Sequence, residues 1–354
     1  MNALTSSIEC LKTLVFREWN ARETRVEDAK EGGKWLSSHP EYKQWNENPV
    51  SSALWLEGKP GSGKSTLIKL VVRKLERKQG SDSNNSLQKG NRVWTFNNPN
   101  DKSTIVAKFI YSFRGGSTER SHELMLRSIV YQIWNQNSKL FPLLRDRYRQ
   151  LQREISDRTD QRSLWSYDDL KWALTALHEI DFDLHVVIVV DGMDESDKYG
   201  RTDVLNFLPG LAKQNSRCII KVLIASRPEN DIIPRLKHAC SHHIRLQEVN
   251  IDDIGLVVDR WIDNMESEHN CERSTFWTIK DYIMTYSSGV FLWVTLVLRD
   301  VEQCVIRGGY SKADLDKRVS GLPKELGGED GFYREMVVSS TNNLKEDSMQ
   351  EERG

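Results

Sequence analysis

No stretch of this chain is long and apolar enough to cross a bilayer. Its most apolar run, Gly289 to Leu298, is about half the required length. The first twenty residues lack the unbroken apolar core of a secretion signal. Glu9, Lys12, Arg17 and Glu18 interrupt the helical spacing of Leu4, Ile8, Leu11 and Val15. The five cysteines (Cys10, Cys218, Cys240, Cys271 and Cys304) are odd in number, scattered and never spaced C-x-x-C. That excludes a disulfide framework and implies a reducing compartment, so a cytoplasmic protein without a membrane partner is expected. There is little excess charge either: 50 Lys and Arg stand against 51 Asp and Glu, a formal net charge of −1. No global field then favours nucleic acid, and no nucleic-acid partner is expected. No internal repeat appears at any period of 20–50 residues, which excludes a solenoid.

Other chemistry is present but weakly patterned. His238-x-Cys240-x-His242-His243 and His269-x-Cys271 lack the paired spacing of structural zinc sites. The first cluster is expected to join a helix to the last strand. The 11 tryptophans are spread along the chain without interleaved basic residues, which argues against a base-stacking platform. Trp134, Trp165, Trp172, Trp261 and Trp293 are expected on core-facing sides of helices.

The informative residues are Gly58, Lys59, Pro60, Gly61, Ser62, Gly63, Lys64, Ser65 and Thr66, which match G-x-x-x-x-G-K-[ST] without departure. They follow the apolar run Ala53–Leu56 and precede a helix-periodic stretch (Leu67, Ile68, Val71, Val72, Leu75). In that context the glycines let successive backbone N–H groups point at phosphate oxygens, and the helix adds its N-terminal partial positive charge. Lys64 is expected to reach the β- and γ-phosphates, and Ser65 to complete the shell of a Mg²⁺ ion. The matching half is HVVIVVDGMDE, His185 to Glu195. Its five consecutive Val or Ile residues predict a strand buried on both faces of a parallel sheet. Asp191 falls at the carboxyl end, where it can hold the same Mg²⁺. In many hydrolytic ATPases the base follows directly after that acid. Here Gly192 takes the place, so the water-activating carboxylate falls to Asp194 or Glu195, a choice left open. A third strand, Ile219–Ala225, ends in Ser226-Arg227-Pro228; Arg227 at such a tip could bond the γ-phosphate.

These pieces predict an α/β P-loop NTPase with a parallel five-stranded sheet flanked by helices, plus a small C-terminal all-α domain. The expected strands are Ala53–Glu57, Ile105–Phe113, Val186–Asp191, Ile219–Ala225 and His243–Val249. The expected boundaries are an amphipathic helical lead-in at 1–50, the nucleotide core at 51–250, helices at 251–337 and a disordered tail at 338–354. Gln79–Asn91 reads as a mobile loop. Ser121 is expected to cap a helix reaching about Asn135, and a further helix is expected over Tyr167–His178.

GKPGSGKST, VVIVVDGMDE, IASRP and SSGVFLWVTLVL, in that order, resemble a NACHT domain of the STAND signal-transduction NTPases, of the nephrocystin-like type. The lead-in CLKTLVFREWNARETRVEDA, the LRSIVYQIW helix and Leu322-Pro323-Lys324-Glu325-Leu326 add to the likeness, which covers roughly Leu11 to Val337. The resemblance implies a nucleotide-gated switch with ATP or GTP and Mg²⁺ as ligands and slow hydrolysis used in signalling, as in immune-like or cell-death responses. Gly289-Val290-Phe291 stands where related NB-ARC proteins carry Gly-x-Pro. Two alternatives remain from other classes: a scaffold or remnant of a larger protein that holds nucleotide without turning it over, and a ring-forming motor or phosphoryl-transfer kinase. Counterparts of the family's winged-helix and sensor segments are not expected among these residues. Leu292, Val294, Leu296, Val297 and Val301 are therefore expected to leave an exposed apolar face through which the helical domain self-associates or binds a protein partner.

Overall fold

The computed structural model describes residues 3–15, 32–81, 104–156, 164–213, 216–269, 271–307 and 311–321. Nearly all of the expected loop Gln79–Asn91, the tail 338–354, the lead-in beyond Val15 up to residue 31, and Leu322–Leu326 lie outside the described residues. The chain divides into two compact units, residues 1–58 with 64–244 and residues 59–63 with 245–354.

The first unit runs α1 (Ala3–Leu14), α2 (Pro40–Glu47), β1 (Ser52–Glu57), α3 (Lys64–Ser81), β2 (Thr104–Ile110), α4 (His122–Gln136), α5 (Phe141–Ser156), α6 (Tyr167–Thr175), β3 (Leu184–Asp191), α7 (Arg201–Leu211), β4 (Cys218–Ser226), α8 (Ile233–Ala239) and β5 (His242–Arg245). The strands form one sheet in the order β2-β3-β4-β1-β5, and β4 pairs in parallel with both β3 and β1. β3 lies inside the sheet because Val186 to Val190 put branched apolar side chains on both faces. All five are at most 1% exposed, and burying each contributes roughly 1.5–3 kcal/mol. The fold is therefore an α/β P-loop NTPase fold with the extra strand β4 between the two strands that precede the expected phosphate and metal sites.

β2 is an edge strand, and its outward backbone groups would invite pairing with another chain. Side chains from α4 cap them instead. The Gln132 amide donates to the Lys108 carbonyl at 2.7 Å while its oxygen accepts from the Lys108 N–H at 2.9 Å. Gln136 donates to the Val106 carbonyl at 2.9 Å. Helix α4 begins where expected: the Ser121 hydroxyl accepts from the Leu124 N–H. Lys221, inside the apolar β4, is also fully buried; its ammonium donates to the Asn48 carbonyl and the Ser52 hydroxyl at 2.8 and 2.9 Å.

Several expected boundaries shift. β2 ends at Ile110 rather than Phe113, since the ladder closes with the Tyr111 N–H donating to Asp191 O at 2.9 Å. The chain then folds back, with the Ser112 N–H donating to Glu119 O, and Phe113 is left exposed in a 3-10 turn. The helix expected over Tyr167–His178 is α-helical only to Thr175 and continues as a 3-10 turn, Ala176–Glu179. The last strand stops at Arg245, and Leu246–Val249 is a helical turn. Buried Ile244 and Leu246 flank exposed Arg245, a pattern too short to separate a strand from a turn entering a helix. Trp134 and Trp293 are core residues of helices as expected; Trp165 is buried too, but in the bend before α6 rather than on a helix, and Trp172 is 40% exposed on the outer side of α6. His242 and His243 sit in β5, facing Glu41 and Glu57 at 2.9 Å.

The second unit holds α9 (Leu246–Val249), α10 (Ile251–His269), α11 (Trp277–Tyr286), α12 (Phe291–Arg307) and α13 (Lys312–Ser320). α10 packs on α11 and α12, and α13 on α11 and α12. Arg318 and Asp300 tie α12 to α13 with two bonds of 2.8 Å. This bundle overturns the expected exposed face. Val294, Val297 and Val301 are fully buried and Leu292 and Leu296 half-buried, because α12 has neighbours around most of its circumference. Among the described residues of this unit, the exposed large apolar side chains are instead Ile251, Leu256, Trp277 and Ile306. Gly289 has φ +73, and a Cβ there would lie 2.4 Å from the Gln247 Cα, so only glycine fits. No helix among the described residues is long and apolar enough to cross a membrane.

Candidate phosphate and metal site

Three loops leave the carboxyl ends of adjacent strands: Gly58 onward from β1, Gly192 onward from β3, and Arg227 onward from β4. The first and third are stitched together where they begin, by the Gly58 N–H donating to Ser226 O at 3.1 Å and the Trp55 indole donating to the Ser226 hydroxyl at 2.9 Å.

Along the glycine loop, Gly61 and Gly63 adopt φ +72 and +88, conformations that L side chains rarely take. Residues 59–63 belong to the second unit, where the Leu292 N–H donates to Gly61 O at 3.2 Å. Within the same unit the Asn250 amide donates to both Ser62 O and Gly289 O, at 3.2 and 2.9 Å. The Ser62 hydroxyl is buried and makes no hydrogen bond among the described residues. Helix α3 starts at Lys64, so Lys64, Ser65 and Thr66 form its first turn. The Lys64 ammonium donates to Gly58 O at 2.6 Å. Burial lowers its pKa, opposed by the negative charges of Asp194, Asp191 and Glu195, while Arg227 adds to the lowering.

Asp191 ends β3 with its carboxylate buried. Gly192 follows at φ +71, turning the chain into the 3-10 segment Met193–Glu195. That left-handed turn favours glycine directly after Asp191. Asp194 and Glu195, open alternatives in the sequence, have different surroundings. The Asp194 side chain is only 4% exposed and is held by Arg227 twice: the backbone N–H donates to Oδ1 at 2.9 Å and Nε lies 3.1 Å from Oδ2. Glu195 instead accepts from the Phe113 N–H through Oε2 at 2.9 Å. Arg227 follows β4 directly, with its guanidinium 44% exposed.

The donor set fits a magnesium nucleotide. The charges of three carboxylates, Asp191, Asp194 and Glu195, and of one further cation, Arg227, all act on Lys64. That net negative cluster suits a divalent ion, and the glycine loop with the start of α3 suits phosphates. No group of three metal-binding side chains occurs among the described residues, which is usual for a magnesium held through one or two protein ligands and substrate oxygens.

Sequence reasoning missed the Phe113 N–H, Arg201 and a buried tyrosine–histidine pair behind the β2 and β3 ends. Fully buried Tyr111 lies 2.9 Å from His122 Nδ1, and His122 Nε2 is 2.8 Å from Asp197 O. A carbonyl can only accept, so Nε2 carries the proton and Nδ1 accepts from the tyrosine hydroxyl. Burial lowers the His122 pKa below 6.5, and also those of His178 and His185. A depressed folded-state pKa means that the unfolded chain binds more protons below 6.5. Stability is therefore complete above pH 6.5 and is lost as pH falls from there through the folded-state values. We expect urea midpoints to drop as pH falls below 6.5, because the unfolded chain then takes up protons that the buried rings resist. His122→Asn should flatten part of the slope; an unchanged slope would show that the ring is not neutral in the fold.

Residues 31–227 match the family described as Nephrocystin 3, N-terminal, a span of more than half the chain. The chain belongs to this family. Its nephrocystin-like NACHT character, read above from the glycine loop and the β3 motif, agrees with a relative of wide coverage. Vegetative incompatibility protein HET-E-1 of Podospora anserina is 22% identical over 340 residues, covering 93% of this chain and 22% of that protein. This nephrocystin-like chain thus spans about a fifth of that relative's length. Among solved structures, Cdc6p from Pyrobaculum aerophilum is similar at 13% identity and a TM-score of 0.43, over 82% of this chain and 66% of that one. The Walker-type ATPase PABY2304 of Pyrococcus abyssi is similar at 12% identity and a TM-score of 0.39, over 96% and 81%. Strand order and register, not these distant likenesses, define the fold.

Proposed function

We propose that this chain binds a magnesium nucleoside triphosphate and acts as a slow NTPase switch in cytoplasmic signalling. The reading rests on one observation above the others: at the carboxyl ends of the sheet the charges of Asp191, Asp194, Glu195 and Arg227 all act on Lys64, the first residue of α3. In this reading residues 58–66 hold the phosphates, with Lys64 on the β- and γ-phosphates. Ser65 and Asp191 hold the magnesium ion, which neutralises phosphate charge when bound. Arg227 bonds the γ-phosphate, with Asp194 positioning its guanidinium. Glu195 orients and deprotonates the attacking water, its carboxylate steadied by the Phe113 N–H. The Podospora relative is a vegetative incompatibility protein, and together with the NACHT resemblance this favours a role in immune-like or cell-death signalling.

A second reading is a scaffold that keeps its nucleotide. It is favoured by the engagement of both acidic side chains, Asp194 by Arg227 and Glu195 by Phe113. Mass spectrometry of nucleotide released from denatured, purified protein tests the shared premise and identifies the base; protein that neither carries nor takes up ATP or GTP would remove both readings. Asp191→Ala should weaken binding at least about ten-fold in magnesium and little in EDTA. Equal weakening under both conditions would take the metal away from Asp191.

A further inference from the structure

Arg201 has no place in the glycine-loop or β3 motifs, yet it is the largest fully buried cation among the described residues of the first unit. Its side chain is 2% exposed at the first position of α7, where a positive charge opposes the helix dipole. Its guanidinium reaches both loops that carry the charged pair. On the β3 side Nε donates to the Ser196 hydroxyl at 3.0 Å, and Nη2 donates to Ser196 O at 2.6 Å and Asp194 O at 3.0 Å. On the β4 side Nη1 meets Asp231 at 3.1 Å and Glu229 at 3.4 Å. Asp194 is thus gripped from two directions, its carbonyl by Arg201 and its carboxylate by Arg227.

We infer that Arg201 is a positioning residue that sets the Asp194–Arg227 pair and thereby the discrimination between nucleoside tri- and diphosphate. This deepens the proposed function and rests on its assignment of Arg227 to the γ-phosphate. The planar fork is what the task requires. It serves three acceptors on one loop and two carboxylates on the other, whereas a lysine has three donors from a single point. If the fork is lost, the Asp194 backbone is no longer pinned to the loop after β4, and Arg227 follows its carboxylate. Contacts to the first two phosphates come from the glycine loop, which Arg201 does not touch, so diphosphate affinity is unaffected.

The test uses the full chain and a fluorescent MANT-diphosphate probe, displaced by the diphosphate or by its imido-triphosphate analogue in magnesium. Arg201→Lys should lower the ratio of triphosphate to diphosphate affinity at least ten-fold while diphosphate affinity stays within two-fold. Should that variant not fold, Glu229→Ala/Asp231→Ala removes both acceptors of Nη1 at partly exposed positions and should lower the ratio in the same direction, by a smaller factor. Arg227→Ala is the control. If Arg227→Ala lowers the ratio and the folded Arg201-site variants keep the wild-type ratio, Arg201 is merely structural and the inference fails alone. Equal weakening of both nucleotides also overturns it. If Arg227→Ala leaves the ratio unchanged, the γ-phosphate role of Arg227 fails and the positioning role falls with it.

Discussion

Lys64→Ala is expected to melt at one temperature with or without magnesium nucleotide, while the wild type shifts upward. A ligand at 100 times its dissociation constant stabilises the folded state by roughly 2.7 kcal/mol, and the variant should lose all of it. The reason lies in what surrounds the ammonium. It is the first residue of α3, its Nζ is anchored on Gly58 O at 2.6 Å, and the charges of three carboxylates act on it. With the cation gone, the triphosphate would enter a cluster whose remaining side-chain cation, Arg227, is already paired with Asp194. Lys64→Arg keeps the charge but not the compact head, and should recover only part of the shift. A thermal shift of equal size in Lys64→Ala and wild type would take the glycine loop out of the argument.

How much of this was legible in the residues depended on whether the signal was local. Val186 to Val190 could be placed inside a sheet because five branched apolar residues in succession leave no polar face. The loop at Gly58–Thr66 was legible because its backbone demands glycine at Gly61 and Gly63, where φ is positive. What could not be read depends on partners distant in sequence. Lys221 interrupts an apolar strand, and only the folded chain supplies Asn48 O and Ser52 Oγ to receive its protons. Arg201 is anonymous until Ser196, Glu229 and Asp231 converge on it. The apolar circumference of α12 suggested an exposed face, since a single helix pattern cannot reveal how many neighbours surround it; α10 and α13 do. Asp194 and Glu195 are adjacent carboxylates in sequence and differ only by what the loops after β2 and β4 bring to each.

That difference gives the second large effect. Glu195→Gln should reduce turnover by roughly 10²–10⁴-fold, the usual contribution of a positioned base, while nucleotide affinity stays within about two-fold. The substitution is nearly isosteric, and the Gln carbonyl oxygen can still accept from the Phe113 N–H, so the loop after β2 keeps its anchor. Asp194→Asn should behave otherwise. Both Asp194 oxygens face Arg227 donors, and an amide offers an acceptor at only one of the two places, setting N–H against N–H at the other. Arg227 would be released, triphosphate affinity would fall relative to diphosphate, and turnover would fall less than in Glu195→Gln. Single-turnover hydrolysis measured alongside equilibrium binding separates the two. Turnover abolished by Asp194→Asn and retained by Glu195→Gln would exchange the roles. If both variants hydrolyse at the wild-type rate, neither carboxylate acts on the water. A wild type that binds nucleotide without measurable turnover would favour the scaffold, with Arg227 and Phe113 holding the two acids where they stand.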